Sequence, residues 1–291
     1  MGIPYAEVIG DPIAHSKSPL IHKFWLEKLG LDGDYRATHI TANELPAYLD
    51  RRRSDPDWRG CNLTMPLKQP AMPLVDKLDR FASGCGAINL VIASGDRLSG
   101  ANTDVPGFTD ALNEGPRQSL PRHHVATYFH LIGAGGAARA IASAIRGADI
   151  EFFNRTKAKA DELADRFGAG SALGHSMGLE ALNGYLGNSI GDEGDKEQRY
   201  SYIVINASAM GMRGYPPVPI RLELYPANTL VFDLVYDPVE TPLLRKAREI
   251  GMPTIDGLDM LIAQARRAFA SLFGADPPRG YDVELRELLI Q

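Results

Sequence analysis

Cysteine is scarce in this 291-residue chain, occurring only as Cys61 and Cys85. Two thiols cannot make the disulfide framework of a small secreted protein, and neither is spaced with a histidine as a metal site would be. They read as small buried residues in a reducing compartment. A secretory signal is missing too, because Met1–Glu7 has no basic stretch followed by an apolar one. Met1-Gly2 opens like a myristoylation signal, but Ala6 occupies the position that needs Ser or Thr. No run approaches the roughly 18 uncharged apolar residues of a membrane span. Positive charge is not concentrated either. The formal net charge is −5, which speaks against nucleic acid or an anionic membrane surface as a partner. The basic run Arg51-Arg52-Arg53 is followed at once by Asp55 and Asp57 and reads as a solvated helix end. These absences leave a cytoplasmic globular protein with a small-molecule partner and no metal.

What is present is an alternation of strand-like and helical runs, the pattern of an α/β protein built from βαβ units. The length predicts two domains. Tyr5–Gly10 reads as a first strand, and Pro19–Leu29 as a helix with Ser18 at its N-cap and Pro19 at its first position. Strands at Tyr35–Ile40 and Gly60–Leu63 flank a helix over Ala42–Arg52. Ala87–Ala93 and Arg97–Gly100 read as a hairpin turning at Ser94-Gly95-Asp96. A second set opens with a strand at Val125–Ile132, a helix over Arg139–Arg146, a strand at Ile150–Phe153 and a helix over Thr156–Phe167. Strands at Tyr202–Asn206 and Leu230–Leu234 complete it. The final helix, Leu258–Phe273, has one apolar face. Asn188–Arg199 is polar and aperiodic, as a surface loop insertion would be.

Three N-x-[ST] sequons, at Asn62, Asn154 and Asn206, each follow an apolar run. Without a secretion signal none should carry sugar. Strand ends in α/β proteins face ligands, which offers a chemical reason for polar residues there.

The clearest motif is Gly133-Ala134-Gly135-Gly136-Ala137-Ala138, placed between a strand and a helix. Gly133 permits the tight turn, Gly135 lets backbone approach a pyrophosphate, and Ala138 is small enough for close helix–strand packing. The helix N-terminus offers free N–H groups to the phosphates. An NAD enzyme would carry Asp or Glu about 20 residues beyond the first glycine. This chain has Asn154-Arg155-Thr156, with Lys159 one helical turn on. A carboxylate would repel a 2′-phosphate, whereas a guanidinium pairs with one, so the cofactor reads as NADP.

A second constellation is polar and dispersed: Ser16-Lys17-Ser18-Pro19, Asn62-Leu63-Thr64-Met65-Pro66-Leu67-Lys68, Gly86-Ala87-Ile88-Asn89 and Gly100-Ala101-Asn102-Thr103-Asp104. Taken one at a time these are caps and turns. In this order, with the Gly-rich turn, Asp233-Leu234-Val235-Tyr236, Thr241-Pro242-Leu243 and Gly257–Ala265, the chain resembles the shikimate dehydrogenase family from about residue 5 to 290. The resemblance implies a reversible NADP-linked oxidation of shikimate to 3-dehydroshikimate, by a monomer or a homodimer. It implies an N-terminal α/β substrate domain (1–104 and 257–291), a Rossmann-type domain (105–256), and a C-terminal helix that packs back on the first domain. Ser16, Ser18, Thr64, Lys68, Asn89, Asp104, Tyr236 and Gln264 would bind substrate, with Tyr236 near the nicotinamide and Lys68 and Asp104 as the catalytic pair. Gly133–Ala137, Asn154, Arg155, Thr156 and Lys159 would hold the cofactor, and Leu234 and Gly257 its nicotinamide end. Departures from the family pattern at Leu67, Leu90, Val105 and Ser208–Met212 touch the pocket wall and hinge. They leave open a paralogue that takes quinate or another hydroxy acid.

The residue chemistry agrees. A polyhydroxy acid needs short polar groups that converge, and oxidising an alcohol needs a group to take its proton. No histidine is well placed; His15, beside the serines, reads as structural. Desolvation lowers a lysine pKa while a neighbouring carboxylate raises it, so either Lys68 or Asp104 can be the formal base. A non-catalytic ligand-sensing relative would not need both. A methylene-tetrahydrofolate dehydrogenase-like pocket would need aromatic walls that this set lacks.

Overall fold

Every residue of β1 (Tyr5–Gly10) is buried, because its two faces feed different cores. Tyr5 and Ile9 join Leu45, Tyr48, Trp58, Leu63 and Ile88 on one face, whereas Ala6 and Val8 pack with Tyr35, Leu90, Ala268 and Leu272 on the other. Period-2 side-chain alternation in a strand covered on both sides produces this split. The computed structural model describes residues 2–115, 126–168, 175–183 and 200–291, so the expected loop insertion at Asn188–Arg199 lies outside the described residues.

The chain forms two compact units, Met1–Gly107 with Ile262–Gln291, and Phe108–Leu261. The first is built on a six-stranded mixed sheet of order β2-β1-β3-β5-β6-β4, with β2 (Asp34–His39), β3 (Trp58–Leu63), β4 (Lys77–Leu78), β5 (Leu90–Ser94) and β6 (Arg97–Ala101). β1 pairs in parallel with β2 and β3, while β5 runs antiparallel to β3 and β6. The helices α1 (Ser18–Leu29), α2 (Leu45–Arg53) and α3 (Arg80–Cys85) belong to this unit. The short pieces β4 and α3 are too brief to show a period in the sequence.

Two local readings are corrected. Ser18 is not the cap of α1: Lys17 holds that position with φ −83° and ψ −3°, already helical, and no side chain caps the turn. The arginine run is solvated only at Arg51. Arg52 Nε pairs with the buried Glu7 carboxylate at 2.9 Å, and Arg53 donates to Asp76 at 2.5 Å. Glu7 sits on a buried strand and needs such a partner, which no local pattern reveals.

Among the described residues the second unit carries six strands in the order β12-β11-β10-β7-β8-β9. These are β7 (Ala126–Ile132), β8 (Asp149–Asn154), β9 (Ser176–Gly178), β10 (Tyr200–Asn206), β11 (Leu230–Asp233) and β12 (Thr254–Ile255). All the pairings are parallel. Numbered from β7, this is the 3-2-1-4-5-6 order of the Rossmann fold, whose direction reverses between its first and fourth strands. The crevice at the carboxyl ends of β7 and β10 is therefore the expected ligand position. α5 (Gly136–Ala144), α6 (Lys157–Phe167) and α7 (Pro242–Glu249) belong to this unit.

Two helices carry the chain between the units. They are α4 (Asp104–Glu114) and α8 (Gly257–Phe273), and α9 (Asp282–Ile290) closes the chain on the first unit. The return to the first unit thus takes two helices, the second of which was not foreseen. Among the described residues no helix is long and apolar enough to cross a membrane.

Candidate active site

Strand β3 ends at Leu63, and the chain turns at once into Thr64–Lys68. The approach is close: a Cβ at Gly10 would stand 2.3 Å from the Thr64 methyl and 2.9 Å from the Met65 carbonyl. The Lys68 carbonyl accepts the Ile88 N–H at 2.8 Å, which fixes the lysine beside the segment leading to Asn89. Its ammonium reaches Asp104 Oδ2 at 2.5 Å, with side-chain exposures of 16% for Lys68 and 6% for Asp104. The other carboxylate oxygen accepts from the Asn89 amide at 2.8 Å. The same amide donates to Thr103 Oγ1 at 2.9 Å and to Gln264 Oε1 at 3.4 Å. Asn89 Oδ1 in turn accepts the Thr103 N–H at 2.7 Å. Lys68, Asp104, Asn89 and Gln264 thus form one network at the start of α4, with Asn89 and Asp104 buried.

Gln264 reaches this network because α4 and α8 cross in backbone contact. A Cβ at Gly107 would lie 2.8 Å from Gln264 Cβ and 2.9 Å from its backbone nitrogen. Ser16 and Ser18 are joined to each other, Ser18 N–H donating to Ser16 Oγ at 3.3 Å. Among the described residues no hydrogen bond joins Ser16, Ser18 or Thr64 to the Lys68 network. Leu67, expected at the pocket wall, is instead fully buried in the core.

Sequence reasoning missed the layer behind Asn89. Its carbonyl accepts both Leu63 N–H at 2.9 Å and Asn62 Nδ2 at 3.2 Å. Asn62 Oδ1 accepts from the Tyr35 hydroxyl at 2.7 Å. The first sequon asparagine thus hydrogen-bonds through both ends of its amide. Its burial on β3 was the available signal.

In the second unit, Gly133 has φ +113°, and a Cβ there would meet the Ala207 carbonyl oxygen at 2.8 Å. Only glycine suits both constraints. Gly135 occupies the N-cap of α5, and a Cβ on it would find nothing within 4 Å. The first turn of α5 carries backbone N–H groups with no partner within the helix, while Ala138 is fully buried. At the end of β8, Asn154 Nδ2 donates to the Thr156 carbonyl at 2.9 Å. Thr156 stands at the N-cap of α6 with no side-chain cap bond. Arg155, Thr156 and Lys159 are exposed, and no carboxylate stands at this strand end. The residues present fit a dinucleotide with a phosphate on its adenosine ribose.

The carboxyl ends of β10 and β11 are tied by a buried network. Asp233 accepts from Asn206 Nδ2 at 2.8 Å, from the Val235 N–H at 3.1 Å and from the Thr241 hydroxyl at 2.7 Å. Thr241 also caps α7 by accepting the Leu244 N–H at 3.2 Å. The third sequon is absorbed here, with Ser208 donating its hydroxyl to Asn206 Oδ1 at 2.7 Å. The network fixes Leu234–Tyr236, and Gly257 allows the close approach of this segment: a Cβ on it would stand 2.4 Å from the Leu234 carbonyl oxygen. Burial raises the Tyr236 pKa, and the charge of Asp237 adds to the effect, so Tyr236 keeps its proton at neutral pH.

Burial also pushes the Asp233 carboxyl from 3.8 up to about 6, against the opposing pull of its Thr241, Val235 and Asn206 donors. A folded-state pKa raised in this way favours the protonated form. Its stabilisation is complete below the unfolded value and is lost as pH rises through about 6. Asp233→Asn stays neutral throughout. The unfolding free energy of this variant minus that of wild type should therefore rise by up to about 3 kcal/mol between about pH 4 and about pH 7. Urea titrations of both proteins across that range measure it. A difference that does not change with pH would contradict the assigned burial cost.

These features define a class: a two-unit α/β protein, with a dinucleotide-type crevice in one unit and a polar Lys–Asp site in the other. Comparison with known proteins narrows it. Residues 8–91 match the model of the shikimate dehydrogenase substrate binding domain. The chain is 44% identical over 291 residues to the NADP(+) shikimate dehydrogenase of Sphingopyxis alaskensis, covering 99% of this chain and 97% of that protein. It is similar to the crystal structure of shikimate 5-dehydrogenase from Thermus thermophilus in complex with NADP(H) and shikimate. There the identity is 34% and the TM-score 0.78, over 99% of this chain and 100% of that one. The quinate dehydrogenase of Corynebacterium glutamicum in complex with NAD has a TM-score of 0.79 at 26% identity, over 98% of each chain. The chain belongs to the shikimate dehydrogenase family.

Proposed function

We propose that this protein interconverts shikimate and 3-dehydroshikimate with NADP, in the cytoplasm. The observation that carries the reading is the Lys68–Asp104 pair at 2.5 Å, held by Asn89 inside a unit whose other site groups are short and polar. A ring alcohol and a carboxylate are matched by hydroxyls and amides, not by an apolar slot. Ser16 and Ser18 take the carboxylate, while Thr64, Asn89, Asp104 and Gln264 take the ring hydroxyls.

When bound, NADP supplies the acceptor for the hydride that leaves the carbinol carbon. As that carbon becomes a carbonyl, its hydroxyl proton passes to Lys68 in its neutral amine form, which becomes the ammonium that returns the proton in the reverse direction. Asp104 orients the lysine with one oxygen and is itself held by the Asn89 amide on the other. In the second unit, Gly133–Ala137 present backbone to the pyrophosphate, and Asn154, Arg155, Thr156 and Lys159 read the 2′-phosphate. Leu234, Tyr236 and Gly257 serve the nicotinamide end.

Nicotinamide absorbance, followed with shikimate and with quinate, each with NADP and with NAD, tests this reading. Shikimate with NADP should give the highest kcat/KM. Faster turnover of quinate, or a preference for NAD, would assign the chain to a paralogue. Absence of reduction in all four mixtures would favour a ligand-sensing role or another hydroxy-acid substrate.

A further inference from the structure

The residue between the two serines has a partner at the far end of the chain. Lys17 Nζ donates to the Leu289 carbonyl at 2.5 Å across 272 positions of sequence. Leu289 lies in the last turn of α9, where carbonyls have no partner within the helix and the dipole presents its negative end. That helix is firmly seated. Leu285 and Leu289 are fully buried, Lys28 of α1 pairs with Glu284 at 2.7 Å, and Arg266 of α8 pairs with Asp282. The Lys28 ammonium also lies over the Tyr281 ring, 4.7 Å from its centroid.

The backbone of Lys17 links this anchor to the serines. Its carbonyl accepts the Ile21 N–H at 3.2 Å, which opens α1. Its φ and ψ set the turn in which Ser16 Oγ receives the Ser18 N–H. A lysine side chain free to swing would leave that turn held by the 3.3 Å bond, the Ser16 N–H to the Ile13 carbonyl and the Ile21 N–H to the Lys17 carbonyl.

We propose that Lys17 is a positioning residue for substrate. Docked on the carboxyl end of the final helix, it holds the Ser16 and Ser18 hydroxyls at the spacing that takes up the substrate carboxylate. The inference rests on the reading of these serines as substrate ligands. It makes the last turn of the chain a determinant of substrate affinity, although no residue of that turn belongs to the site.

Steady-state kinetics with shikimate and NADP on wild type, Lys17→Met, Lys17→Arg and Ser18→Ala test it, with melting temperatures measured in parallel. Lys17→Met should raise KM for shikimate about tenfold, the effect of losing one charged hydrogen bond. KM for NADP should be unchanged and kcat should stay within about twofold, and Lys17→Arg, which can still donate to a carbonyl, should restore most of the loss. A wild-type shikimate KM in Lys17→Met, beside a raised KM in Ser18→Ala, would overturn the inference and spare the reading of the serines. An unchanged KM in Ser18→Ala would overturn both. A lowered melting temperature with equal rises in both KM values would reduce Lys17 to a stabilising role and also overturn it. Should Lys17→Met fail to fold, Lys17→Ala gives the same comparison.

Discussion

Lys68→Ala lowers turnover by roughly a thousandfold and leaves NADP affinity unchanged: this is the largest effect expected of any single substitution. General acid–base groups contribute about 10²–10⁴ in rate, and Asp104, the titratable partner of Lys68 in the network, is proposed to orient the lysine and not to replace it. Asp104 remains held by Asn89 Nδ2 at 2.8 Å, so the site loses its proton carrier without losing its frame. The dinucleotide crevice belongs to the other unit, and NADP titration by fluorescence should therefore give the wild-type dissociation constant. Lys68→Arg should not rescue, because a guanidinium does not release its proton at working pH. Near-normal turnover in Lys68→Ala would remove Lys68 from the chemistry and leave Asp104 as the base.

The second large effect concerns the cofactor. Arg155→Asp replaces a guanidinium at the end of β8 with the carboxylate that marks NAD enzymes. A charge-assisted hydrogen bond is worth about 1.5–3 kcal/mol, so its loss alone costs roughly 10- to 150-fold in kcat/KM with NADP. Repulsion between Asp and the 2′-phosphate adds to that. With NAD, which has a ribose hydroxyl there, kcat/KM should hold or rise. Arg155 is exposed and Asn154 fixes the turn through the Thr156 carbonyl, so the exchange should not disturb folding. Equal losses with both cofactors would show that Arg155 shapes the turn and does not read the phosphate.

The parts of this protein legible in its sequence are those that chemistry confines to a few adjacent residues. Gly133 and Ala138 must be small because strand end and helix start converge there, and the structure gives Gly133 a positive φ and Ala138 full burial. A 2′-phosphate reader is expected just beyond the next strand, so Arg155 could be proposed for that role from spacing. Lys68 and Asp104 could be paired only through resemblance, since 36 residues separate them. What stayed hidden depends on partners brought from afar. Asn62 looked like a sequon and is a support for Asn89. Asp233 figured only as the first residue of the Asp233–Tyr236 motif and is a buried carboxyl joining three segments. Ser18 had the composition of a cap, but Lys17 had already entered helical geometry. Arg52 looked solvated because Glu7, its partner, lies 45 positions away.

The central claim is that this chain moves a hydride directly from the carbinol carbon of shikimate to the nicotinamide of NADP. It is tested most directly with shikimate carrying deuterium at the reacting carbon. The enzyme should transfer that deuterium to the nicotinamide ring, one for each 3-dehydroshikimate formed, as read by NMR of the recovered NADPH. Deuterium found in water, or retained in the organic acid while NADPH accumulates, would contradict it.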